Sequence, residues 1–82
     1  MDIKQKIGLR IKEIRTELHL SQEAVAYKAE IDRTFMVHVE NGRRNVSVET
    51  LEKIIIKGLE TTFRQFFESE VFDGKKVKEV LK

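Results

Sequence analysis

No cysteine occurs anywhere in the 82 residues, which removes disulfides, thiolate metal sites and cysteine nucleophiles together. Proline is absent as well, and the four glycines are scattered at Gly8, Gly42, Gly58 and Gly74. Nothing therefore reads as an alternation of strands and turns or as a flexible linker, and the expected fold class is all-α. A long uncharged apolar run and a signal-peptide pattern are also missing, so the expectation is a cytoplasmic protein with no membrane partner. Nor is there a marked excess of one charge: 16 bases face 14 acids for a net charge of +2. Bulk electrostatics at that level does not identify a polyanionic partner, and the distribution of charge has to carry any such argument. Bases outnumber acids in residues 1–20 and 73–82, and acids outnumber bases in 46–72. A solvated helix face accounts for such an imbalance as well as a function does, because salt screens it beyond about 10 Å. A chain of this length makes one domain with a modest core, burying about two-thirds of its unfolded surface, so self-association is a natural supplement.

What is present is apolar spacing of three and four residues. Ile3, Ile7, Ile11, Ile14 and Leu18 form one stripe of a first helix, with His19 past its end. Ser21 can cap a second helix over about 22–29 through its hydroxyl, placing Val25, Ala26 and Ala29 on one face. Asp32 can cap a third over about 33–41 with Phe35, Met36 and Val39 inward, stopped by Asn41-Gly42. A fourth starts after Ser47, which has Thr50 rather than an acid three residues on; Leu51, Ile54, Ile55 and Leu59 form its buried face. A fifth is expected from about Thr62 to Val71, carrying Phe63, Phe66 and Phe67. Residues 1–72 then make the domain. Residues 73–82 are a basic tail in which Asp73 can cap a short extra helix bearing Val77, Val80 and Leu81, although so short a segment is marginal alone.

Two short amphipathic helices either side of a tight break at Ile31 and Asp32 are the sequence form of a helix-turn-helix. Removing the inward residues of the second helix leaves Arg33, Thr34, Val37 and His38, side chains able to reach base edges, and Arg43-Arg44-Asn45 adds donors suited to phosphate. Double-stranded DNA is the implied partner. His19 and His38, without cysteine or an ordered pair of carboxylates, make no zinc site. No acid pairs with a nucleophile or a glycine-rich phosphate loop, so neither an enzyme nor a cofactor is expected.

The spaced series Arg10-Ile11, Arg15, Leu20-Ser21-Gln22-Glu23, Ala26, Ile31-Asp32-Arg33, Val39-Glu40-Asn41-Gly42 and Leu51 resembles the lambda-repressor-like, Cro and Xre family over about residues 5–68. Within it, Asp32-Arg33-Thr34-Phe35 and Asn45-Val46-Ser47 are most similar to the small controller proteins that time restriction-modification genes. The resemblance implies a compact five-helix fold whose third helix enters the major groove while the second lies across the backbone. It implies that Arg33 holds guanine O6 and N7, that Thr34 meets a base edge or thymine methyl, and that Val37 and His38 lie at reading positions. Gln22 matches a glutamine that grips phosphate from the start of the second helix, and Arg43, Arg44 and Asn45 match a phosphate-contacting loop. Arg15 and Glu40 occupy positions that relatives join by an ion pair, and His19 stands where relatives place a left-handed glycine.

Controller-like relatives dimerise through their last two helices. That makes Ile56, Phe63, Phe67 and Phe72 interface candidates, with Phe66 or Phe67 filling the space between helices 1 and 4. The run Lys53-Ile54-Ile55-Ile56-Lys57-Gly58-Leu59 is one residue longer than the commonest family pattern, which rotates the residues after it by about 100° if the helix simply continues. The implied function is sequence-specific transcriptional regulation by a homodimer on a twofold-related operator, excluding or contacting RNA polymerase. An antitoxin-type regulator that also covers a toxin is the second reading.

Overall fold

A computed structural model describes residues 1–73, in which every regular element is helical. The helices are α1 (Ile3–Glu17), α2 (Gln22–Ala29), α3 (Arg33–Glu40), α4 (Val48–Glu52), which runs on as a π-helix over Lys53–Gly58, and α5 (Phe63–Phe67); a 3-10 turn comes next at Glu70–Phe72. The expected extra helix carrying Val77, Val80 and Leu81 lies outside the described residues.

All five α-helices begin on a side-chain cap, because the first N–H groups of a helix have no partner inside it. Asp2 accepts from the Gln5 amide at 2.9 Å while the Gln5 side chain accepts from the Asp2 amide, also at 2.9 Å. Ser21, Asp32 and Thr62 accept from Ala24, Phe35 and Gln65. At Ser47 the missing acid is replaced by Thr50: its amide donates to the Ser47 hydroxyl, which donates in turn to Thr50 Oγ1 at 3.0 Å.

Helices α1 to α4 end on the same device, a left-handed residue that turns the chain back: His19 (φ 59), Glu30 (φ 62), Gly42 (φ 74) and Glu60 (φ 53). The next amide then bonds a carbonyl in the last turn, as Leu20 does to Arg15, Ile31 to Ala26 and Arg43 to His38. Glycine occupies this position only after α3. A side chain in the left-handed region costs about 1–2 kcal/mol, from which a glycine substitution gives back about 0.4–1 kcal/mol through the freer unfolded chain. His19→Gly is therefore expected to raise stability by up to about 1 kcal/mol, a gain of a few degrees in Tm for a domain this small. An unchanged or lower Tm by calorimetry refutes it.

The core takes Ile11 and Ile14 from α1, Val25, Ala26 and Ala29 from α2, Met36 and Val39 from α3, Leu51, Ile54, Ile55 and Leu59 from α4 and its continuation, and Phe66 from α5. The expected stripe of α1 is buried only in its middle: Ile3 is 57% and Leu18 47% exposed. α1 has 15 residues while α2 and α3 have eight each, and at about 1.5 Å per residue the shorter helices do not cover its ends.

α4 does not simply continue. Its second half widens, so that Leu59 N–H bonds Ile54 O at 2.8 Å and Thr61 N–H reaches Ile55 O at 3.0 Å. The wider turn takes up one residue without turning the helix further. Ile54, Ile55 and Leu59 thus stay on the buried face, Ile56 is left 45% exposed, and the expected rotation is absorbed.

α5 is shorter than the Thr62–Val71 span expected from spacing alone. At its C-terminal end the carbonyls of Gln65 and Phe66 accept from Arg10 of α1, at 2.9 Å and 2.7 Å, and that of Gln65 also accepts from Glu68 N–H at 3.3 Å. The chain leaves helical geometry at Glu68 and restarts at Ser69, whose hydroxyl accepts from Val71 N–H at 3.1 Å. Phe66 is fully buried, filling the place expected of it or Phe67. Phe72 is half-buried against the core, its ring 6.0 Å from that of Phe66 and 4.8 Å from that of Phe67.

Candidate nucleic-acid interface

The position of α3 is set by one close approach and one buried ion pair. Gly8 lies where α1 meets the C-terminal end of α3: a Cβ there would collide with the carbonyl oxygens of Glu40 and Val39, the latter at 2.6 Å. A larger residue would push the two helices apart. Beside this contact the Glu40 side chain, only 3% exposed, receives Arg15 Nε at 2.6 Å and Arg15 Nη2 at 2.8 Å. Gln22 Nε2 donates to the same carboxylate at 2.7 Å, and Arg15 Nη1 donates to Leu20 O at 3.0 Å. One acid thereby joins α1, α2 and α3. Hydrogen bonding to Glu40 raises the pKa of Arg15 above its ordinary value, burial opposes this, and charge attraction adds to it.

With Met36, Val39 and Glu40 turned inward, the opposite edge of α3 carries Arg33 and Thr34, both exposed, and Val37 and His38, both half-buried. Arg33 is the first residue of α3, at the positive end of the helix dipole, where a cation is disfavoured. Among the described residues it forms no ion pair. Helix stability gives no reason for arginine there, whereas an anionic or base-edge partner outside the molecule does. Beyond Asn41 the left-handed Gly42 reverses the chain, its amide bonded to Val39 O and that of Arg43 to His38 O. Arg43, Arg44 and Asn45 are all exposed, and the Arg44 guanidinium lies over the Phe35 ring, 5.1 Å from Cζ to centroid.

Gln22 has an internal role that spacing did not suggest. Its amide is engaged by Glu40, which leaves one side-chain N–H and the carbonyl oxygen for an outside contact. The importance of Gly8 did have a signal in the sequence. A glycine inside an apolar-periodic helix costs about 1 kcal/mol relative to alanine, so its presence there points to a close contact.

On the side of α4 and α5, Ile56 (45%), Phe63 (37%) and Phe67 (37%) are exposed, and the two phenylalanine rings lie 6.3 Å apart. Among the described residues no group of three or more His, Asp or Glu is placed to hold a metal ion, and no helix is long and apolar enough to cross a membrane.

A family model described as helix-turn-helix matches residues 11–56. The control protein C.MunI of Mycoplasma sp is 45% identical over 67 residues, covering 80% of this chain and 89% of that protein. The crystal structure of the wild-type restriction-modification controller protein C.Esp1396I superposes with a TM-score of 0.76 at 39% identity, over 83% of this chain and 88% of the other. The C.Esp1396I tetramer in complex with its natural 35 base-pair operator matches at the same TM-score of 0.76 and 39% identity, over 83% and 90% of the two chains. The helix-turn-helix thus spans α2 and α3 where the residues first suggested it, and the chain belongs to the Xre/Cro-like helix-turn-helix family, in which restriction-modification control proteins are its homologues.

Proposed function

We infer that this protein is a sequence-specific DNA-binding regulator of the restriction-modification controller type, acting as a homodimer on a twofold-related operator. The observation that carries the reading is the outward edge of α3, led by an exposed Arg33 that forms no ion pair among the described residues, on a helix pinned from behind by Arg15 and Glu40. Homology supports it: a relative of the same fold and 39% identity is solved on its operator. α3 lies in the major groove with Arg33, Thr34, Val37 and His38 toward the base edges, while α2 crosses the backbone. Arg43, Arg44, Asn45 and the remaining N–H of Gln22 meet phosphate. Ile56, Phe63 and Phe67 cover one another across the dimer axis, setting the two reading helices about 34 Å apart on one face of the duplex. Operator occupancy then governs the access of RNA polymerase. The homologues are control proteins, which favours this reading over an antitoxin that also covers a toxin.

Selection from a randomised duplex library, followed by binding measured across salt, tests this. A twofold-related sequence is expected to emerge, and with about 6 to 10 phosphate contacts the affinity falls with a log-log slope near −5 to −9. Failure to enrich any duplex at low salt would overturn the reading.

A further inference from the structure

Phe35 is expected from spacing to be core, yet it is only half-buried and the planar guanidinium of Arg44 covers its ring at 5.1 Å. The contact depends on the turn at Gly42. With φ at 74° the chain folds back along α3, and Arg44 reaches the first turn of the helix rather than continuing away from its end. Arg44 also lines a small surface cavity with Ile3, Lys4, Ile7, Val39, Asn45 and Val46, which gives its aliphatic stem apolar company from α1 and the last turn of α3. Arg44 is nevertheless exposed as a residue. The contact joins a cation to an aromatic face, so the N–H donors of the guanidinium are not consumed by it as they would be by a hydrogen bond.

We propose that Phe35 is a positioning residue for DNA binding: its ring holds Arg44 so that the donor edge is presented to a backbone phosphate beside the first turn of α3, next to Arg33 and Thr34. The inference rests on the DNA-binding reading above and adds a role for an aromatic side chain of the reading helix. An unrestrained arginine loses rotamer freedom when it grips a phosphate, and one already stacked has lost much of it beforehand. A cation–aromatic contact at an exposed site corresponds to about two- to fivefold in affinity for each bound subunit. The opposite arrangement, in which the ring parks Arg44 away from DNA, predicts the opposite sign.

The test is a double-mutant cycle on the full chain with the selected operator duplex, using Phe35→Leu, Arg44→Ala and the double variant, with Tm measured for each. Phe35→Leu is expected to weaken binding by about two- to fivefold per subunit in the parent and to have no further effect in the Arg44→Ala background. Phe35→Tyr, which keeps a ring, is expected to restore the coupling, and a variant of parental Tm keeps the result free of folding defects. In the unbound protein, the upfield ring-current shift of the Arg44 side chain in NMR spectra should vanish in Phe35→Leu and persist in Phe35→Tyr. Equal losses from Phe35→Leu in both backgrounds, or tighter binding by Phe35→Leu, overturn the positioning role while leaving DNA binding intact. Absence of duplex binding by the parent overturns both.

Discussion

Glu40→Ala is expected to remove about 3–5 kcal/mol of folding stability, a large part of the roughly 5–15 kcal/mol that holds a domain together. The cause is less the lost attraction than the charge left behind. Arg15, 17% exposed, would keep its guanidinium in a partly buried site with no carboxylate, and Gln22 would lose the acceptor that now orients it. Because Glu40 closes α3 against α1 and α2, the loss should also appear in DNA affinity under conditions where the variant is still folded. Replacing both charges, as in Arg15→Met with Glu40→Leu, should recover much of the stability, since no orphaned charge remains, but not the affinity, since the orientation of α3 is no longer specified. Urea denaturation and DNA binding of the two variants beside the parent separate these effects. Coincident midpoints for Glu40→Ala and the parent would show that this pair does not hold the reading helix.

Arg33→Ala should do the reverse, sparing the fold while erasing a choice. The side chain is exposed and without an ion pair among the described residues, and it stands at the helix end where a cation is disfavoured. Stability should therefore stay within about 0.5 kcal/mol of the parent. In DNA binding, loss of a two-pronged contact to guanine costs about 1–3 kcal/mol of discrimination, or roughly 5- to 150-fold, at one base pair of each half-site. Competition against operators substituted one position at a time would show a single column of the preference profile flattening. A phosphate contact behaves differently: Arg44→Ala should weaken every site alike and reduce the salt slope by about one. Superimposable profiles for Arg33→Ala and the parent would take the base-reading role away from this residue.

The elements that sequence placed well are those whose signal is local. Ser21, Asp32 and Ser47 each cap the next helix, because a hydroxyl or carboxylate three residues before a needed amide is a contact within one turn. Val25, Ala26 and Ala29, Met36 and Val39, and Leu51, Ile54, Ile55 and Leu59 are all buried, since helical spacing aligns them on one face whatever they meet. His19 in the left-handed region was implied instead by the resemblance, since relatives place glycine at that position. The helix-turn-helix and its outward edge emerge by subtraction of the inward residues.

Other features depended on groups distant in the chain. α5 stops after Phe67, where its last carbonyls are capped by Arg10, more than fifty positions earlier in the chain. No periodicity within residues 62–71 carries that information. Gln22 is tied to Glu40 rather than left wholly free, and Phe35, packed against the core on one side, also lies under the Arg44 guanidinium. Both outcomes come from where the turns at Glu30 and Gly42 send the chain. The extra residue in Lys53–Gly58 was visible, but whether it would rotate the helix or widen it was decided by packing. In the structure the turn opens to a π-helix, with Ile54, Ile55 and Leu59 buried and Ile56 left exposed. By itself the sequence determined which segments are helical, where they are capped and which edge of α3 is left to read outward, because those depend on spacing over one or two turns. Only the tertiary structure decided how long α5 is, how α3 is aimed and which side chains are already committed to internal partners, because those depend on carbonyls, carboxylates and rings brought together from helices that no local pattern connects.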